Sequence, residues 1–263
     1  MMLDAITVKI MSSKTTKADD KEAKAYNWVL LASVLLVIFL IVQTPARIIA
    51  NFLPNGARAM LQSWGGTIWS GQVNGQYQSI LGQVRWQFEP LALLKLKLGI
   101  KLEVITNASE FSGRLQWRGN SWQLLDANGQ IASLELQQFL SGWQLPNAPI
   151  EIKNLNLSYA NQEWQAAKGG IMWQGGALDY VLEGQRQHIN LPAVSVLVKN
   201  DQKNLELVLK DAQQDANLAT FIVRGSVLES RLTQRLLSYA PSYRGVAEPD
   251  AIVVTSTQPL SSL

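Results

Sequence analysis

The sequence predicts a mainly β domain carried behind a single N-terminal transmembrane helix. Three observations lead there. One uncharged apolar run, Tyr26–Val42 (YNWVLLASVLLVIFLIV), stands alone near the start. Beyond it, apolar and polar residues alternate with a period of two in segment after segment. Glycine and tryptophan also recur together there in short Gly–Trp–Gly elements. The fold class expected is an extended, curved antiparallel β-sheet, jellyroll-like, with a few short helices. The expected division is residues 1–25 as a disordered cytoplasmic tail, 26–46 as the transmembrane anchor, 47–62 as a helical connector, 63–255 as a periplasmic β-rich domain and 256–263 as a flexible tail.

The apolar run, extended by Gln43–Ala46, reaches the length needed. A helix rises ~1.5 Å per residue, so about 20 residues cross a hydrocarbon core of ~30 Å. Tyr26 and Trp28 sit at its N-terminal rim, where amphipathic rings suit the headgroup layer. Lys14, Lys17, Lys21 and Lys24 precede the run, and only Arg47 and Arg58 follow early. Cations are retained on the cytoplasmic side, so the N-terminus reads as inside and the rest as translocated. A cleaved signal peptide is the competing reading, with Thr44-Pro45-Ala46 as a loose cleavage site. The long leader and the long run favour an uncleaved anchor. The leader SSKTTKADDKEAK is polar and without apolar periodicity, as disordered tails are.

Residues 46–263 hold 18 Lys+Arg against 16 Asp+Glu. A net charge of +2, with scattered cations, is no nucleic-acid footprint. The chain has no cysteine. That excludes a disulfide framework, a thiol nucleophile and a cysteine metal site, and is compatible with a bacterial periplasm.

Pro45–Gln62 (PARIIANFLPNGARAMLQ) reads as two short helices broken at Leu53-Pro54-Asn55-Gly56, since proline cannot continue a helix and Asn-Gly favours a turn. Val84, Trp86 and Phe88 then alternate with Arg85 and Gln87 as in a half-buried strand. Pro90-Leu91-Ala92-Leu93-Leu94 reads as one helical turn. Ile150–Tyr159 alternates with a skip at Asn154, a predicted bulge. Val194, Val196 and Val198 alternate, as do Leu205, Leu207 and Leu209. Leu228, Leu232, Leu236 and Leu237 stand at helical spacing and predict an amphipathic helix over 228–239. The tail from Ser256 reads as frayed.

Three tryptophans share a setting: Gly66-Thr-Ile-Trp69-Ser-Gly71, Gly113-Arg-Leu-Gln-Trp117-Arg-Gly119 and Gly170-Ile-Met-Trp173-Gln-Gly175. Gly82-Gln-Val-Arg-Trp86 has the first half. Such an element predicts a strand that begins at a glycine turn or bulge, puts a ring on the core face and ends at another glycine. Trp69, Trp86, Trp117 and Trp173 are therefore core residues, or the lining of an apolar groove for acyl chains or sugars. If the rings are buried, Trp69→Ala or Trp117→Ala should cost ~3–5 kcal/mol.

Catalytic chemistry is thinly represented. His188 is the only imidazole, which excludes a His-rich metal site, and no Gly-x-Ser-x-Gly elbow accompanies it. It is expected exposed at a strand end. Asp211 and Asp215 read as loop carboxylates, and Glu103, Glu110, Glu135, Glu151 and Asp179 show no acid–base pairing by spacing. No phosphate or calcium loop is present, so no cofactor or metal is expected.

The stretch Leu61-Gln-Ser-Trp64-Gly-Gly-Thr-Ile-Trp69-Ser-Gly71, followed by Val84-Arg-Trp86 and Pro90-Leu-Ala-Leu-Leu94, resembles the type II secretion system protein N family. The resemblance runs over about residues 26–240 and is sharpest over 60–95. It implies a single-span protein of the Gram-negative inner membrane with a periplasmic β domain. It implies an accessory role in the apparatus that exports folded proteins, without enzyme activity or cofactor. The partners implied are other secretion components: the inner-membrane platform, the outer-membrane secretin, or both. The Gly-x-x-Trp-x-Gly and Pro-Leu-x-x-Leu elements are also similar to AsmA-like periplasmic proteins, which implies lipid or lipopolysaccharide as the alternative ligand. This chain is shorter than most of those.

Overall fold

A computed structural model describes residues 16–139, 143–182 and 185–260 of the chain. Its first element is helix α1, Thr16–Val42. The helix opens well ahead of the apolar run and takes in the second half of the polar leader. That segment is rich in Ala, Lys and Glu, good helix formers, and a helix nucleated in the apolar run propagates back through it. The rest of the expected tail, residues 1–15, lies outside the described residues. The side chains of α1 are described from Trp28 onward, and its apolar residues from there to Val42 stand exposed. Among the described residues no helix is long and apolar enough to cross a membrane.

The connector forms as two short pieces. A 3-10 helix η1, Ala46–Phe52, follows Pro45, and helix α2, Asn55–Met60, follows Pro54. Asn55-Gly56, expected in a turn, instead opens α2, because Pro54 takes the extended cap position and its carbonyl accepts from Arg58 N. Ala46 and Ala50 are buried where η1 meets the first two strands.

From Leu61 onward the chain is sheet. The strands are β1 (Leu61–Gly66), β2 (Ser70–Tyr77), β3 (Ile80–Phe88), β4 (Leu98–Thr106), β5 (Glu110–Arg118), β6 (Ser121–Ile131), β7 (Trp143–Gln144), β8 (Ile150–Ala160), β9 (Glu163–Trp173), β10 (Gly176–Leu182), β11 (Gln185–Leu191), β12 (Val194–Asp201), β13 (Asn204–Asp211), β14 (Asn217–Arg224), β15 (Val227–Thr233) and β16 (Ile252–Pro259). A 3-10 helix η2 (Pro90–Lys95) joins β3 to β4, helix α3 (Ser133–Gln137) follows β6, and helix α4 (Gln234–Leu237) follows β15. Thirteen strands make one sheet in the order β1-β2-β3-β4-β5-β6-β8-β9-β12-β13-β14-β15-β16, and β11-β10-β7 make a small second sheet.

The pairing is antiparallel throughout the large sheet, but the jellyroll is replaced by a meander. A jellyroll interleaves strands distant in sequence. Here the connections are too short for that. Asn161 and Gln162 both have positive φ, as do Gln202 and Lys203, which is the two-residue turn that joins adjacent antiparallel strands. The two departures from strict order are the excursions that build the small sheet. The skip at Asn154 is a bulge: φ is +48° and the β8–β9 register shifts between Lys153 and Asn156. A matching irregularity at Asp126 on β6 stitches to it, Asp126 N donating to Asn156 Oδ1 at 2.9 Å.

Two segments depart from expectation. The predicted helix over 228–239 is a strand, β15, followed by the single turn α4. A spacing of four satisfies a helix and an alternating strand equally, and Leu228-Glu229-Ser230-Arg231-Leu232 alternates. The tail from Ser256 pairs with β15 as β16, Ser230 opposite Ser256 and Leu228 opposite Gln258, so it is an edge strand through Pro259. Residues 261–263 lie outside the described residues.

Register assigns the faces. Trp64, Val73, Val84, Leu102, Trp86 and Phe111 share one face with Leu115, Leu124, Leu157, Ile171, Val196, Leu209, Phe221 and Leu232. The opposite face carries Gln72, Gln83, Arg85, Lys101, Glu103, Gln123, Lys199 and Glu206, much of it ion-paired across strands. Strand alternation makes that side mostly polar over β2–β6, whereas from β9 onward it also carries Met172, Leu197, Val208 and Ile222, the last two buried. The buried cluster is small: Ala167, Val198 and Leu205, with Leu155, Leu157, Trp164, Leu207 and Val223 packed on it. The accessible surface is 18368 Å², against roughly 11,400 Å² expected for a compact monomer of this mass.

Candidate functional site

The apolar face is the first candidate. Trp86 on β3, Trp117 on β5 and Trp173 on β9 all lie on it, each at a different station across the sheet. Trp86 and Trp173 are half-buried and Trp117 is 36% exposed. Their polar edges are anchored: Trp86 Nε1 donates to the Ile68 carbonyl at 3.1 Å and Trp173 Nε1 to that of Ala148 at 3.1 Å. A further cluster, Trp122, Tyr159 and Trp164, stacks on the same face with ring centroids 5.2–5.9 Å apart. Most of the apolar side chains here are half-covered by their neighbours rather than sealed.

Trp69 is elsewhere. Gly66 and Gly71 face each other as the end pair of the β1–β2 hairpin, so Trp69 lies in the turn between strands. Its Nε1 donates to the Ile41 carbonyl at 2.9 Å, and Ile68 N donates to the Thr44 carbonyl at 3.0 Å. Trp69 is thus a second donor to a carbonyl in the last turn of α1, which also accepts from Thr44 N at 3.3 Å. Its ring meets Phe88 edge-on with centroids 5.0 Å apart.

The glycines play several parts. A Cβ on Gly71 would lie 2.6 Å from the Trp86 ring, so the missing side chain is what lets that ring lie on the β2 backbone. Gly113 on β5 faces the irregular stretch of β6 at Asp126, and Gly119 is in the β5–β6 turn. Gly175 turns the chain into β10 at φ +74°, with the Pro192 carbonyl 2.3 Å from where a Cβ would stand. Gly170 is in the interior of β9 with no turn; the irregular backbone belongs to its neighbour Gly169.

The polar face holds an open cleft of about 720 Å³ over β2–β6, lined among others by Gln72, Arg85, Lys101, Glu103, Arg114 and Asp126. Its charges are mutually paired: Arg85 with Glu103 at 3.4 Å, and Arg114 with Asp126. The hydrogen bond to Asp126 holds the Arg114 guanidinium above its ordinary pKa; burial opposes it, and the negative charges of Asp126 and Glu89 add to the rise.

His188 lies within β11 opposite Asp179 of β10, with Nδ1 to Oδ1 at 2.6 Å. It is a cross-strand pair in mid-strand rather than at a strand end, and the imidazole is 66% exposed. Among the described hydrogen bonds no hydroxyl joins the pair, so no triad is assembled. No group of carboxylates and imidazoles suited to a metal ion exists among the described residues.

Two carboxylates have roles their spacing did not reveal. Asp211 is buried rather than loop-solvated; its Oδ1 accepts from Gln213 N at 2.8 Å and Gln214 N at 3.1 Å, closing the turn into β14. Asp215 is exposed and pairs with Lys210. Glu135, at the start of α3, accepts from Thr106 Oγ1 at 2.6 Å, from Ala108 N at 3.1 Å and from Ser109 Oγ. It clamps the β4–β5 turn to α3. The Thr106–Ser109 turn was the available signal, since its polar groups needed a distant acceptor.

A family model described as type II secretion system (T2SS), protein N, matches residues 57–231, from within α2 to within β15. No curated protein and no solved structure matches the chain.

Proposed function

The chain belongs to the type II secretion system protein N family, and from that premise we propose that it is a non-enzymatic assembly component of the type II secretion apparatus. In this reading α1 anchors it in the inner membrane over the apolar length Tyr26–Val42. The lysine-rich leader stays in the cytoplasm and the sheet stands in the periplasm. The family match is the observation that carries the reading. The exposed apolar side chains of α1 and the leader lysines support the anchor and its direction. The two open edges of the sheet, β1 and β16, support docking of other secretion components, since strand addition is a common way for β domains to take partners. Deletion of the gene should trap exoproteins in the periplasm, and a plasmid copy should restore their release. Unchanged secretion and unchanged assembly in the deletion strain would sink this reading.

The half-covered apolar face favours a second one, a lipid- or lipopolysaccharide-binding module like the AsmA-like proteins. Trp86, Trp117 and Trp173 would line the acyl-chain surface. Mass spectrometry of the purified full-length protein separates the two: stoichiometric phospholipid or lipopolysaccharide supports the second, and lipid-free protein that still crosslinks to secretion components supports the first.

A further inference from the structure

The connection between β3 and β4 is a loop of leucines that the sheet does not cover. Leu91, Leu94 and Leu96 are 76%, 82% and 77% exposed, and Leu93 and Leu98 are exposed as well. Isolated surface leucines are ordinary, but four within one short connection, with Leu98 opening β4 beside them, form a patch.

The position of the loop says what meets it. α1 ends on the β1–β2 turn through the bonds from Trp69 and Ile68 to Ile41 and Thr44. The Trp69 ring abuts Phe88, and Phe88 N donates to the Trp69 carbonyl at 2.6 Å. η2 begins two residues later, at Pro90. The leucines therefore lie at the end of the sheet where α1 arrives.

The charges agree. Lys95 follows the leucines directly and Lys97 lies between two of them. Among the described residues neither has a carboxylate partner; Lys97 Nζ donates to the neutral Gln123 Oε1 at 2.8 Å. Arg118, beside the Trp117 that pairs with Leu98, is likewise in no ion pair among the described residues. By contrast, Arg85, Arg114 and Lys199 of the polar face are paired. Exposed leucines flanked by the exposed Lys95 and Arg118, neither in an ion pair among the described residues, match an anionic lipid surface, with leucines at the acyl boundary and the cations among the headgroups.

We propose that η2 is a second, monotopic membrane contact, seated in the leaflet from which α1 emerges. This rests on the reading of α1 as an anchor. The sheet is then held to the bilayer at two points.

The absence of cysteine allows the test in the full chain. Single substitutions Leu94→Cys, Leu35→Cys in α1 and Asn107→Cys at the opposite end of the sheet are each labelled with an environment-sensitive fluorophore. Each protein is reconstituted into vesicles of phosphatidylethanolamine and phosphatidylglycerol carrying an acyl-chain nitroxide. The proposal expects the Leu94 label to be blue-shifted and quenched at least about threefold more than the Asn107 label. Quenching at Leu35 with a water-exposed label at Leu94 overturns the proposal and leaves the anchor standing. A blue-shifted but unquenched Leu94 label also overturns it, because a second protein copy then covers the loop. An unquenched Leu35 label removes the anchor reading itself.

Discussion

Tyr239 is a phenol held beside a buried carboxylate. Burial raises its pKa above the ordinary 10.0; the negative charge of Asp211 and a long hydrogen bond of 3.5 Å to it add to the rise, and Arg235 partly offsets it. The folded chain thus keeps this proton to higher pH than the unfolded chain. The stabilisation is full below about pH 10 and is lost as pH rises through the folded value. Tyr239→Phe should flatten the alkaline fall in stability, read from urea midpoints at pH values on either side of about 10. Trp117 belongs to the same scale. With 36% of its surface exposed, Trp117→Ala should cost about 1–2 kcal/mol in a thermal melt, below the range for a sealed ring. Single residues were the least legible level of this chain. Trp69 looked like a strand residue because a hairpin turn flanked by glycines reads like a strand bounded by them. Asp211 looked solvated although the amides it accepts from, those of Gln213 and Gln214, lie in its own segment; an Asp that closes a local turn has the same polar neighbours as one in a solvated loop.

At the scale of elements, periodicity gave the strands well where apolar residues alternate cleanly, as in β3, β12 and β13. It located the Asn154 bulge from a single skipped position. It failed at β15, where a four-residue spacing fits both helix and strand, and at β16, whose apolar content is low because an edge strand packs on one neighbour only. Turn chemistry makes a sharper prediction. Gly175→Ala forces a side chain onto a backbone at φ +74° and within 2.3 Å of the Pro192 carbonyl. It should destabilise by about 1–3 kcal/mol, or more if the β9–β10 turn must reopen. Gly170→Ala has only the Val196 carbonyl nearby, 4.0 Å away, and should stay within about 0.5 kcal/mol of the parent. Chemical denaturation of the pair compares a required glycine with a dispensable one on the same segment.

At the scale of the molecule, alternation made the β class legible, but the meander order depended on two-residue turns built without the usual Asn-Gly signal, such as Gln202-Lys203. The large native surface has a measurable effect. The denaturant dependence of unfolding scales with the area newly exposed, so the urea m-value should fall below that of a two-layer domain of equal length. A m-value at the ordinary level would mean that the apolar face is covered in solution. The meander also bears on how the chain reaches its fold. Nearly every strand of the large sheet finds its partner in the segment just made, so loop closure is short at each step and the contact order is low for an all-β protein. A chain delivered from its N-terminus can add strands one at a time to a finished edge. The two side excursions, at α3–β7 and at β10–β11, are the steps at which growth has to wait for a later strand.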